Sequence, residues 1–308
     1  MNWHSQEIDE LVRRALAEDV GTGDATTAAI VPAGAPAKAT IVARQTLVCA
    51  GLPIAELVFR ALDREMRVVC RHKDGALVEA GAELIELAGE ARAILAGERT
   101  ALNFLAHLCG IATQTRRFVE QLAGTQARIR DTRKTTPGLR ALEKYAVKCG
   151  GGSNHRFGLY DAILIKENHI AIAGGVKAAL DRAHAFSSLK MAAPRAASAY
   201  DAAGLDPEAA GPGALSVQIE LRNEEELREA LDAGAEAVLL DNMTPGEARR
   251  CVQLARSLRR DCVIEISGGI TLANVRAYAE TGAEFLSAGA LTHSAPSADL
   301  SLLVERVR

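Results

Sequence analysis

The chain changes its rhythm of hydrophobic and polar positions twice. Near the start, Ile8, Leu11, Val12, Ala15 and Leu16 recur at three- and four-residue intervals, which predicts an amphipathic helix without the continuous apolar core of a signal peptide. From Ala37 to about Gly89 the period shortens. AKATIVARQTLVCAG alternates like a half-buried strand pair, PIAELVFRALDRE returns to a helix, and RVVCRHKDGALVEAGAELIEL predicts strands joined by an Asp-Gly turn. From Glu90 the helical period resumes in EARAILAGERTALNFLAHLCG, and TQTRRFVEQLAG predicts a second helix after it.

After that, short apolar runs alternate with helix-compatible stretches. The predicted strands are Ala127 to Asp131, Ala162 to Ile165, Val217 to Leu221, Ala237 to Leu240, Cys262 to Ile266 and Glu284 to Ser287. NEEELREALDAG and TLANVRAYAETG are typical of the stretches between them. This alternation implies a parallel sheet, and six or more such units imply a complete or partial α/β barrel. One stretch breaks the rhythm. Residues 187–213 are rich in Ala, Pro, Gly and Ser without a clear period, so they read as an inserted loop.

Composition narrows the function classes. A length of 308 residues allows two domains or one large barrel, at about 100 to 200 residues per domain. With a formal net charge of -3 there is no global basic field to hold nucleic acid, so any cationic site is local. No stretch is long and apolar enough to span a membrane. Cys49, Cys70, Cys109, Cys149, Cys251 and Cys262 are scattered without zinc-finger or C-x-x-C spacing, which suggests buried thiols in a reducing compartment, the cytoplasm.

In a parallel barrel the C-terminal strand ends open on one face, where active sites collect. Arg133 and Lys134 follow the first predicted strand, Lys166 the second, Glu220 falls at the end of the third and Asp241 of the fourth. Ser267, Gly268 and Gly269 follow the fifth, and the sixth runs into Gly289. One polar residue at a strand end means little, but six in register on one face mean more. Arg133, Lys134, His155, Arg156 and Lys166 supply forked and point-like donors suited to carboxylates and phosphates, which describes a polyanionic substrate. Glu220 and Asp241 could hold Mg²⁺ through water, accept sugar hydroxyls or face a developing positive charge, although Asp241 alone could also be a helix N-cap. The glycine loops offer backbone N–H groups for phosphate. Gly150, Gly151 and Gly152 begin as a helix C-cap or let backbone approach a ligand, His107 reads as packed on an apolar helix, and Lys166 could alternatively form a Schiff base as in an aldolase.

At DTRKTTPGLRALEKYAVKCGGGSNHRFGLYDAILIKENHI the sequence resembles the quinolinate phosphoribosyltransferases. GERTALNFLAHLCGIATQT, VLLDN, ISGGIT and SAGALTHS match further blocks of that family in the same order. The resemblance implies an N-terminal α/β sandwich over 1–112, an incomplete parallel α/β barrel over 113–289, and a segment, 290–308, returning to the N-terminal domain. It implies a homodimer in which Arg99, from the neighbouring subunit, joins Arg133, His155, Arg156 and Lys166 around quinolinate. Lys134, Glu220 and Asp241 would serve 5-phosphoribosyl-1-pyrophosphate (PRPP) and Mg²⁺, with Ser267, Gly268, Gly269 and Gly289 on phosphate and no prosthetic group. Two positions depart from the family pattern: Gln218 stands where an acid is usual, and Cys109 where serine is common. Related transferases with another acceptor, or a site that only senses a nucleotide, are the remaining alternatives.

Overall fold

The structure, a computed structural model, describes residues 1–191 and 215–305. In chain order the first elements are α1 (Gln6–Val20), α2 (Ala25–Ile30), β1 (Pro36–Ala43), β2 (Leu47–Val48), α3 (Leu52–Leu62), β3 (Arg67–Cys70), β4 (Leu77–Val78), β5 (Glu83–Glu90) and α4 (Ala91–Gln121). Then come β6 (Arg128–Arg130), α5 (Arg140–Cys149), β7 (Ile163–Ile165), α6 (Glu167–Ala173), α7 (Val176–Met191) and β8 (Val217–Leu221). The chain continues with α8 (Glu224–Asp232), β9 (Ala237–Asp241), α9 (Pro245–Leu258), β10 (Val263–Ser267), α10 (Val275–Ala279), β11 (Phe285–Ser287), α11 (Ala290–His293) and β12 (Leu300–Glu305). They form two compact units: Met1–Arg116 with Ala141–Gly151 and Ala295–Arg308, and Arg117–Arg140 with Gly152–Ser294.

The first unit is built on an antiparallel four-stranded sheet in the order β12-β1-β5-β3, so the C-terminal strand pairs with β1 from Lys38↔Glu305 to Ala43↔Leu300. Along β1, Ala37, Ala39 and Ile41 turn inward and Pro36 and Lys38 outward, the period-2 pattern of a sheet with one covered face. α1 buries Ile8, Val12 and Leu16, one stripe of its surface. At the start of α3 the Asp74 carboxylate accepts the Gly51 and Leu52 N–H groups at 2.9 and 3.1 Å, and the Tyr145 hydroxyl donates to it at 2.8 Å. Two predicted helices prove to be one, the 31-residue α4. Gly110, where the sequence suggested a break, lies inside it, and it is glycine because a Cβ there would collide with the Pro296 carbonyl.

The second unit is a six-stranded parallel sheet ordered β6-β11-β10-β9-β8-β7. Its central strands are short and apolar, as strands covered on both faces are: Val238, Leu239 and Leu240 in β9, and Ile264 and Ile266 in β10, are all buried. β6 and β7 end the order without pairing with each other, so the barrel is incomplete. Asn223 caps α8, and Thr244 caps α9 in a reciprocal capping box with Glu247. The cap of α9 is therefore Thr244 and not Asp241. The loop expected over 187–213 begins later than its composition suggested: Ser187 to Met191 complete α7, and 192–213 lie outside the described residues.

Candidate active site

The strand register aligns chemistry across the sheet. Ser267 of β10 faces Asp241 of β9 and Ser287 of β11, and Ser287 faces Arg130 of β6, so four polar side chains share one row near the C-terminal strand ends. There the second unit opens into a cavity of about 680 Å³, a size suited to small-molecule ligands. Arg133, Lys134, His155, Arg156 and Lys166 line it, as do Glu220 and Asp241. Ser267, Gly268, Gly269 and Gly289 complete the set that the strand ends predicted. Arg99 does not belong to this group. It is exposed on α4 within the first unit.

The cations come from loops tied down around them. Asp131, wholly buried after β6, accepts the His155 N–H at 2.8 Å. The ring Nδ1 of His155 in turn accepts the Arg156 N–H at 2.7 Å, and the Arg156 guanidinium donates to the Ala162 carbonyl at 3.0 Å. Asp161 folds the following turn by accepting the Phe157 and Gly158 N–H groups at 2.6 and 2.8 Å. Arg133 stands differently, because its Nε is buried without a hydrogen-bond partner. Burial, and then the like charge of Arg133, hold the Arg156 guanidinium below its usual value, with Asp161 opposing. Two forked cations thus crowd one another around a donor with no acceptor, an arrangement an anion would relieve.

On the other side of the cavity Lys166 Nζ donates to Glu220 Oε2. Asp241 has its carboxyl raised above the usual aspartate value by burial and by Glu220, while Lys166, Lys134 and a 2.6 Å bond from Asn242 Nδ2 pull the other way. Among the described residues no group of three or more His, Cys, Asp or Glu is placed to hold a metal. Two carboxylates held close enough to repel nevertheless fit a divalent cation that takes its other ligands from water and phosphate. The fit to Mg²⁺ is thus of the shared, open kind.

Gly268 and Gly269 have φ of +95° and +62°. A Cβ on Gly268 would run into the Asn242 side chain and come within 2.7 Å of its backbone nitrogen, so only glycine lets these two loops close on each other. Asn242 is itself the one non-glycine with positive φ among the described residues, at 56°, and its N–H donates to the Ser267 carbonyl at 2.9 Å. Asn274 cinches the Gly269 loop, accepting from Thr271 N at 2.8 Å and donating to Gly269 O at 3.0 Å.

Strand-end reasoning missed a polar layer one step deeper. Glu265, in the middle of β10, is fully buried yet borders the cavity. Its Oε2 accepts from Arg130 at 3.2 Å and from Gln218 Nε2 at 3.0 Å, and its Oε1 accepts from Ser287 Oγ and faces His155 Nε2 at 3.6 Å. Burial opposes ionisation here. The facing His155 ring, the Arg130 guanidinium and the bonds from Ser287 and Gln218 outweigh it and hold the carboxyl below the usual glutamate range. Gln218 therefore serves Glu265 rather than the Glu220–Asp241 pair. His293, also unforeseen, lines the cavity beside Gly289 with its Nδ1 2.6 Å from Ser294 Oγ. His107 is paired with the buried carboxylate of Glu143 at 2.8 Å, and Gly150, packed so that a Cβ would come within 2.6 Å of Thr115 Cβ, serves close approach as much as capping.

The open parallel barrel and the cation-lined mouth define a protein of the anion-gathering α/β-barrel class. The chain belongs to the quinolinate phosphoribosyl transferase family: the family model of the N-terminal domain matches residues 24–109, and that of the C-terminal domain matches 111–194 and 195–303. The chain is 41% identical over 300 residues to the nicotinate-nucleotide pyrophosphorylase (carboxylating) of Mycobacterium leprae, covering 95% of each chain. Among solved structures, the nicotinate-nucleotide pyrophosphorylase of Francisella tularensis superposes with a TM-score of 0.84 at 37% identity, over 97% of this chain and 96% of that one. NadC of Streptococcus pyogenes gives 0.85 at 35% identity, over 98% of each.

Proposed function

We propose that the protein transfers the phosphoribosyl group of PRPP to quinolinate and decarboxylates the product, giving nicotinate mononucleotide, pyrophosphate and CO₂. The observation that carries this reading is the pair Arg133 and Arg156, one with a buried unpartnered donor and each repelling the other, in a cavity that also holds Lys134, Lys166 and His155. Quinolinate brings two carboxylates, and PRPP a phosphate and a pyrophosphate. At 4 Å one unlike charge pair is worth about 4 kcal/mol at an effective dielectric of 20, so several cations decide whether two such anions can share a site.

Arg133, Arg156 and Lys166 take the acceptor with His155 beside them, and Arg99 from a second copy of the chain completes its binding in a homodimer. The loops at Ser267 to Gly269 and at Gly289 take the 5-phosphate, and Lys134 reaches the pyrophosphate. The pyridine nitrogen attacks the anomeric carbon as the bond to pyrophosphate breaks, and Glu220 and Asp241 face the positive charge that develops on the ribose. Mg²⁺ held by Glu220, Asp241 and the diphosphate would neutralise the leaving group. In the resulting pyridinium the bond from ring carbon 2 to its carboxylate breaks, its electron pair stays on that carbon beside the positive nitrogen, and a proton then takes the place of CO₂. Six free thiols suit a reducing compartment such as the cytoplasm.

The test is acceptor choice. With PRPP and Mg²⁺, quinolinate should turn over at least tenfold faster than nicotinate at equal concentration, roughly the loss anticipated when buried charged donors lose a partner. Equal turnover of the two would show that the cation cluster does not read the second carboxylate.

A further inference from the structure

The transfer chemistry leaves the buried Glu265 without a task. Glu265 touches no solvent, sits beneath the acceptor side of the cavity, accepts from Arg130, Gln218 and Ser287, and faces His155 Nε2 at 3.6 Å. Its neighbours divide by side. Oε2 meets Arg130 and Gln218, which are held within the sheet, whereas Oε1 meets Ser287 and the Nε2 edge of His155. His155 is already engaged at its other nitrogen: Nδ1 accepts the Arg156 N–H at 2.7 Å, so the proton of the neutral ring belongs on Nε2, facing Glu265.

We propose that Glu265 is a positioning residue for the acceptor site, holding the Nε2–H edge of His155 so that Nδ1 stays unprotonated to fix the Arg156 backbone and, through it, the Arg156 guanidinium over the cavity. Both ring nitrogens of His155 are then turned inward, and its service to the acceptor is to hold the His155–Arg156 corner. The chain of control runs from Glu265 through His155 to Arg156. This rests on the reading of the cavity as the quinolinate site.

The neighbours make a decisive substitution available. In Glu265→Gln the new NH₂ cannot face Arg130, which has no acceptor to offer, so it must turn toward Ser287 and His155. There it meets Nε2–H, and the ring must either move or pass its proton to Nδ1, where it opposes the Arg156 N–H. Adding Gln218→Glu places a carboxylate beside Arg130 and the newly introduced amide, which draws the NH₂ back to that side and returns a carbonyl oxygen to His155. The double variant keeps one buried negative charge and nearly the same volume.

Nitrogen-15 spectra of the histidine ring, taken on the full protein without substrate, report the tautomer whatever the acceptor is. Wild type should show His155 protonated at Nε2 in its neutral form. E265Q should lose that signature and raise the KM for quinolinate roughly tenfold, as for loss of a hydrogen bond to a charged group, with the KM for PRPP nearly unchanged. E265Q/Q218E should restore both, and it carries the test alone if E265Q does not fold. The proposal is overturned if E265Q keeps the wild-type ring state and quinolinate KM. It is equally overturned if the double variant regains the wild-type melting temperature while His155 and KM stay altered. Absence of any turnover of quinolinate by wild type would instead count against the functional reading, and the ring spectra would still decide the role of Glu265.

Discussion

Replacing Arg133 by alanine should move stability and binding in opposite directions. The Arg133 Nε is buried with no partner, so its removal ends an unsatisfied donor, and the neighbouring Arg156 loses a like charge that depresses its own ionisation. The melting temperature should therefore stay level or rise slightly. The liganded protein loses a charge-assisted partner of a desolvated carboxylate, which costs about 2 to 5 kcal/mol, or roughly 30-fold to several thousand-fold in quinolinate affinity or rate. Thermal unfolding without ligand, paired with steady-state kinetics in quinolinate, reads both quantities on one preparation. A variant with a lower melting temperature and unchanged kinetics would refute the reasoning, because Arg133 would then be a structural cation with its partner already inside the protein.

The remaining expectations concern single groups. Asp241 has its carboxyl raised by burial and by Glu220, so the folded protein retains that proton where the unfolded chain has released it, and stability falls as pH rises from the ordinary aspartate value through the raised one. Asp241→Asn should remove that slope in urea unfolding measured across this range while abolishing turnover; an unchanged slope would mean that Asp241 titrates normally. Burial pushes the Cys251 and Cys262 thiols up to about 11, so at pH 8 roughly one in a thousand is thiolate, and a disulfide reagent should label both slowly until denaturant is added. Rapid labelling of the native protein would contradict their burial. Mixing Arg99→Ala with Glu220→Ala, each nearly inactive alone, should recover about a quarter of wild-type activity once subunits exchange, since half the dimers are mixed and half their sites intact. Confirmed heterodimers without activity would mean that Arg99 does not act across an interface.

The parallel sheet was legible because its strands are apolar on both faces and end where polar residues begin. All six fall within a residue or so of their predicted limits, from Arg128–Arg130 to Phe285–Ser287. The cavity's rim was legible for the same reason, since side chains at the ends of parallel strands must gather on one face. What pattern could not show was the interior of the sheet. Glu265 sits in VIEIS like a chance polar interruption, and only the register across β8, β6 and β11 reveals that Gln218, Arg130 and Ser287 converge on it. Gly110 misled for the opposite reason, because glycine marks both helix ends and close contacts, and the Pro296 carbonyl that makes it a contact lies far away in sequence. Composition likewise misplaced the start of the loop after α7, where the helix runs on through Ser187 and Ser188 to Met191 although serine is a weak helix former.

The most direct test of the central claim is the fate of the carboxylate next to the ring nitrogen. Quinolinate labelled with ¹⁴C in that group, incubated with PRPP and Mg²⁺, should release one labelled CO₂ for each nicotinate mononucleotide formed, with the nucleotide unlabelled. A nucleotide that retains the label, or no nucleotide at all, would contradict the assignment of this cavity to decarboxylating phosphoribosyl transfer.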